Sequence, residues 1–112
     1  VVGLHRLVLA EALGLAEHVG LNLETTLEVL QSGLAASAVM ATKGKKMLDR
    51  DFAPVARLAQ HAKDVDLIVE LGAESGANLP VSRLHQEILQ RLIGDGHGTE
   101  DNSVVIRAFE QR

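Results

Sequence analysis

The stretch VVGLHRLVLAEALGLAEHVG, residues 1–20, decides the class of fold. Leu4, Leu7, Val8, Leu15, Ala16 and Val19 recur at the three- and four-residue spacing of an α-helix. Leu9, Ala12 and Leu13 carry the apolar surface most of the way round. A helix apolar on nearly all sides lies at the centre of a core or in an interface. The stretch does not read as a leader peptide, because no basic segment precedes it and Arg6 and Glu11 interrupt it. No apolar run in the chain approaches the roughly 20 residues needed to span a bilayer. The pattern starts in mid-course at Val1 without an initiator Met, as expected of a piece cut from a longer chain.

Working outward, the same periodicity continues and only Pro54 and Pro80 interrupt it. The first helix is expected from about Val2 to Val19, ended by Gly20, with Asn22 capping a second helix over Glu24–Gln31. Leu27 and Leu30 face that helix inward, and Ser32-Gly33 stops it. Ser37 is placed to cap a third helix, about Ala38 to Leu48. After "DRDFAP", Pro54 in the first turn opens a long fourth helix to about Glu74. "ESGANLP" closes it, and Pro80 opens a fifth, carrying Val81, Leu84, Ile88 and Leu92. "GDGHGTED" is a glycine-rich loop before a last helix, about Asn102 to Glu110. No segment alternates at period two for long enough to be a strand. The expected fold is all-α, with about six helices in one compact bundle.

Composition narrows the functions. The 112 residues make one domain's worth of chain, and 46% of them are apolar, which fits a globular domain. A net charge of −4 gives no electrostatic footprint for nucleic acid. Phe52 and Phe109 are the only aromatic residues, so no platform for stacking bases exists. The lack of cysteine removes disulfides, thiolate nucleophiles and cysteine-based zinc sites, and fits an intracellular, cytoplasmic protein. No dinucleotide fingerprint, P-loop or H-E-x-x-H is present.

The polar stretch that stands out is QHAKDVDL, residues 60–67, where Lys63 and Asp64 break an otherwise buried-looking helix. Two readings stand. In the first, Lys63 forms an i,i+3 ion pair with Asp66, worth about a few tenths of a kcal/mol. In the second, the small residues Ala56 and Ala59 share the Lys63 face and leave room for a ligand or another domain; the lysine then meets an anion or carbonyl and Asp64 accepts hydrogen bonds from a polar substrate. The five histidines, none three or four residues from another, form no local metal pair. "KGKK", Lys43 to Lys46, reads as a solvated helix end and "GDGHGTED" as a plain turn. Ser37 has no base near it in sequence.

In order along the chain, "AEALGLAEHVGL", "VLQSGLAAS", "MLDRDFAP", the "KD" of Lys63-Asp64, Gly76 to Pro80, and "GDGHGTEDNSVVI" resemble the C-terminal helical domain of the β-hydroxyacid dehydrogenases. This family includes 3-hydroxyisobutyrate dehydrogenase, tartronate semialdehyde reductase and L-threonate dehydrogenase. Each motif alone is loose, but six in order with family spacing are specific, and they span the chain. The resemblance implies a fold like the C-terminal domain of 6-phosphogluconate dehydrogenase. It implies a preceding Rossmann domain that binds NAD or NADP, a substrate cleft between the two domains, and hydride transfer between cofactor and a small hydroxyacid.

The resemblance also implies roles. Lys63 matches a family lysine near the nicotinamide, a cofactor contact. Asp64 matches an aspartate that lines the substrate site or orients that lysine, and Ser37 a serine near the cleft. The principal catalytic lysine is expected before Val1. Many members that act on short hydroxyacids have an aromatic residue eight positions before the aspartate; here that position is Ala56. A small residue there is similar to the threonate-type branch and implies a larger pocket. No metal is implied. The partners implied are the Rossmann domain and further copies of the chain through its first helix; no nucleic acid or membrane is. By itself the chain is expected to be inactive and to bind no cofactor. The alternative is a standalone all-α interaction module without catalysis.

Overall fold

The computed structural model describes residues 1–110. They form α1 (Val2–His18), α2 (Leu23–Ser32), α3 (Ala38–Asp49), α4 (Leu58–Ser75), α5 (Pro80–Gly94) and a terminal 3-10 helix (Asn102–Phe109). The only β-type pairing among the described residues is an isolated bridge between Arg57 and Asp101. The all-α class and the six helices agree with the sequence reading.

Several helix ends follow from local chemistry. α1 finishes in a Schellman turn: Gly20 takes the left-handed conformation (φ 82°), its N–H donates to Glu17 O at 3.1 Å, and the Leu21 N–H donates to Ala16 O at 2.9 Å. Asn22 Oδ1 accepts the Thr25 N–H at 2.9 Å and caps α2. Pro80 occupies the first turn of α5, where its missing N–H costs no hydrogen bond. Gly76 closes α4 at φ 77°. Ser37 holds the cap position of α3 with an extended backbone, yet its hydroxyl makes no capping bond.

The start of α4 departs from the sequence reading. Pro54 does not open the helix, which begins at Leu58. The Asp101 carboxylate captures the N–H groups of Val55 and Ala56 at 3.0 and 3.1 Å. The Ala56 carbonyl accepts the Asn102 N–H at 2.8 Å, so residues 55 and 56 are held outside the helix. The first N–H groups of α4 are satisfied by loop carbonyls instead, Leu58 N–H by Glu100 O and Ala59 N–H by Gly98 O, each at 2.9 Å.

The described chain divides into two compact units. The first contains residues 1–52 and the segment from Ser103 onward. In it α1 packs on α2 and α3, burying Leu7, Leu9, Ala10, Leu13 and Ala16 of α1 with Leu27, Val39, Met40 and Met47. A Cβ at Gly14 would lie 2.8 Å from Phe109 Cβ, so a glycine is what lets the terminal helix approach α1. Arg50, a non-glycine residue at φ 52°, bridges Glu17 at 3.0 Å and Glu110 at 2.8 Å. The terminal helix is 3-10 in form, and its consecutive Val104, Val105 and Ile106 are β-branched residues with weak α preference.

The second unit, residues 53–102, is built on α4 packed along α5. α4 buries Leu58, Ala62, Val65 and Gly72. The inward face of α5 is His85, Leu89 and Leu92, spaced i, i+4, i+7, whereas Val81, in the first turn, and Leu84 are exposed.

Candidate functional site

α4 presents its buried stripe to α5 and turns Lys63, Asp64, Leu67, Ile68 and Leu71 outward. Lys63 and Asp64 are both exposed, and neither side chain makes a hydrogen bond or ion pair with another described residue. The Lys63–Asp66 pair of the first reading is not formed. Asp66 Oδ1 accepts Gln86 Nε2 from α5 at 2.8 Å, so that carboxylate is engaged elsewhere. Beyond the pair, Leu67 and Leu71 keep 63% and 65% of their surface exposed. A cation and a carboxylate therefore stand at one end of an uncovered apolar face.

Ala56 does not share a helical face with Lys63, as the sequence reading had it; it is exposed in the loop before α4, its backbone pinned by Asp101 and Asn102. Ala59 does lie in α4, one turn before Lys63. Ser37 belongs to the first unit, whereas Ala56, Lys63 and Asp64 belong to the second. Its buried hydroxyl oxygen has no hydrogen-bond partner among the described residues. The residue lines a cleft of about 220 Å³ with His5, Val8, Leu34 and Met40.

The remaining polar motifs resolve into structural roles. Lys45 pairs with Asp49 at 2.9 Å and Lys46 with Asp51 at 3.4 Å, while Lys43 is buried rather than part of a solvated end. Asp49, by its hydrogen bond first and its charge second, holds the Lys45 ammonium above the usual lysine range. The loop "GDGHGTED" is no phosphate cradle: Gly98 and Glu100 give carbonyls to the start of α4, and Asp101, fully buried, anchors residues 55 and 56. Sequence reasoning missed that anchor, because its partners lie more than 40 residues away.

It also missed the contact of His61 with His85, whose rings lie 5.2 Å apart between α4 and α5. The available signal was His85 standing in register with Leu89 and Leu92. No group of three or more potential metal ligands exists among the described residues, and none of their helices is long and apolar enough to cross a membrane.

The described residues thus form an all-α fold with a cation and a carboxylate beside uncovered apolar surface on α4. The family model described as "NAD-binding of NADP-dependent 3-hydroxyisobutyrate dehydrogenase" matches residues 1–109. The chain belongs to this family, that of the β-hydroxyacid dehydrogenases. It is 28% identical over 110 residues to the 2-hydroxy-3-oxopropionate reductase of Escherichia coli, covering 98% of this chain and 38% of that protein. It is 33% identical over 111 residues to the 2-(hydroxymethyl)glutarate dehydrogenase of Eubacterium barkeri, covering 98% and 37%. In fold it is similar to the crystal structure of a 3-hydroxyisobutyrate dehydrogenase from Salmonella typhimurium, with a TM-score of 0.91 and 24% identity over 95% of this chain and 37% of that one. The chain thus spans less than two-fifths of the length of these relatives.

Proposed function

We propose that the chain is the helical domain of an NAD- or NADP-dependent oxidoreductase acting on a small β-hydroxyacid such as 3-hydroxyisobutyrate, tartronate semialdehyde or a threonate-like acid. The observation that carries this reading is the exposed, unpaired Lys63–Asp64 pair on the outer face of α4, in a chain of this family. The domain supplies one wall of a substrate cleft, and a dinucleotide-binding Rossmann domain supplies the other.

The residues fit the cofactor's needs. An ammonium with no carboxylate on it is free to meet an anionic or carbonyl group, and Leu67, Ile68 and Leu71 beside it are free to be covered and to exclude water. When bound, the nicotinamide gives or accepts the hydride. Lys63 contacts the cofactor and substrate end of the cleft through its charge and N–H donors, and Asp64 accepts hydrogen bonds from substrate hydroxyls or orients Lys63. Ser37 and Ala56 are assigned to the substrate side, Ala56 as the residue that leaves space for a longer acid. We assign the proton transfer to no residue of this chain. Val8, Leu15 and Val19, each about 60% exposed along α1, are assigned to an interface between copies of the chain.

The test is hydride transfer by the chain joined to its Rossmann domain, followed at the nicotinamide absorbance with each of the three acids and each cofactor. Turnover of at least one acid is expected, reduced by Lys63→Ala. A two-domain protein inactive on all of them, or indifferent to Lys63→Ala, refutes the reading.

A further inference from the structure

Asp66 stands one turn beyond Lys63 on α4, the separation at which a lysine and a carboxylate pair along a helix. That pairing is missing because two amides from α5 converge on one oxygen of Asp66: Gln86 Nε2 at 2.8 Å and Gln90 Nε2 at 3.5 Å. Gln86 and Gln90 are themselves one turn apart, so the geometry of α5 brings both to the same carboxylate. Asp66 is half-buried and Lys63 is exposed. The choice of donor matters. An arginine or lysine at either α5 position would also hold Asp66, but would add a positive charge beside Lys63. Glutamine directs the carboxylate toward α5 and adds none.

We infer that Gln86, seconded by Gln90, is a positioning residue: by holding Asp66 it keeps the Lys63 ammonium clear of the carboxylate one turn along the helix and open to an anionic ligand. The functional consequence rests on the reading of Lys63 proposed above. The positioning itself is a property of α4 and α5.

The experiment measures acylation of Lys63 in the 112-residue chain by N-hydroxysuccinimidyl acetate, followed by peptide mass spectrometry, with Lys45 as internal reference because its own partner Asp49 is untouched. In Gln86→Leu/Gln90→Leu, Asp66 is released to pair with Lys63, and Lys63 is expected to react about twofold more slowly, the fold-change that corresponds to one helical ion pair. Adding Asp66→Asn restores the parent rate. Asp66→Asn alone leaves Lys63 at the parent rate, because that carboxylate is already committed. An unchanged Lys63 rate in the double variant, or a slowing that survives Asp66→Asn, overturns the inference. Should the double variant fail to fold, Asp66→Asn alone decides: a roughly twofold acceleration of Lys63 overturns it and no acceleration upholds it. The readout needs neither cofactor nor substrate, so it stands or falls separately from the proposed activity.

Discussion

Asp101 Oδ1 accepts the backbone N–H of Ala56 at 3.1 Å across 45 residues of sequence, and this bond sets where the helix that carries Lys63 begins. The same oxygen takes the Val55 N–H, and the side chain is fully buried. Replacing it with alanine leaves both N–H groups without their acceptor. A hydrogen bond to a charged group is worth about 1.5–3 kcal/mol, so Asp101→Ala is expected to cost about 3 kcal/mol of stability, and Asp101→Asn, which keeps one acceptor, about half that. Urea denaturation checks both; an alanine variant as stable as the parent would remove Asp101 as the anchor.

Two glycine-to-alanine changes are expected to have opposite signs. At Gly14 the new methyl meets the Cβ and carbonyl oxygen of Phe109 at 2.8 and 2.9 Å, atoms that move only with the backbone. Overpacking of this kind costs about 1–3 kcal/mol. At Gly94, in the last turn of α5, nothing lies within 4 Å of the added Cβ, and alanine's helix preference should stabilise by up to about 1 kcal/mol. Thermal melts of the two variants decide.

Some of this was readable from neighbouring residues alone. Gly20, Asn22 and Pro80 mark helix ends through bonds or dihedral preferences that span only a few residues, and each was placed correctly; the end of α4 falls within "ESGANLP", as read, with Gly76 as its cap. Pro54 misled for a physical reason: its preference for a first helical turn is local and weak, whereas the distant Asn102 N–H occupies the Ala56 carbonyl that a helix starting there would use, and Asp101 holds the Val55 and Ala56 N–H groups beside it. Lys63–Asp66 failed in the same way, because Gln86 lies on another helix. For the candidate site, the prominence of Lys63-Asp64 came from sequence, whereas their lack of partners and the displacement of Ala56 from their helix required the packing of α4 against α5 and the loop.

If Lys63 meets an anionic group in the assembled enzyme, removing it removes a charge-assisted hydrogen bond. In the two-domain protein Lys63→Ala is expected to lower kcat/KM about 10- to 100-fold, the equivalent of about 1.5–3 kcal/mol. Ala56→Phe is expected to shift preference from a four-carbon sugar acid toward 3-hydroxyisobutyrate. Steady-state kinetics on the two acids checks both, and a preference unmoved by the phenylalanine would exclude Ala56 from the pocket.

The Lys45–Asp49 pair gives a pH signature with a definite sign. The lysine is raised in the folded chain from its ordinary value of 10.5. Its contribution is therefore complete below that value and lost as pH climbs through the higher folded one. Urea midpoints measured from about pH 9 to about pH 12 should fall more steeply for the parent than for Lys45→Met. Parallel curves would show that the pair does not contribute.

Val8 and Leu15, 60% and 65% exposed, are proposed to be covered by a second copy. Sedimentation equilibrium is expected to show self-association of the parent chain and its loss in Val8→Glu/Leu15→Glu, with the melting temperature of the variant's monomer little changed. A parent chain that stays monomeric at high concentration counts against the interface.

The first unit is discontinuous in sequence: it holds residues 1–52 and is completed by the segment that begins at Ser103, whereas the second is the unbroken run 53–102. Both helices of the second unit, α4 and α5, are made before Phe109, the residue that seats against Gly14. Although α1 is made first, the unit that contains it closes last. Until Phe109 has been made its apolar surface lacks that terminal cover, and the whole of the second unit is synthesised in this interval, the period in which aggregation or chaperone capture of α1 competes with closure.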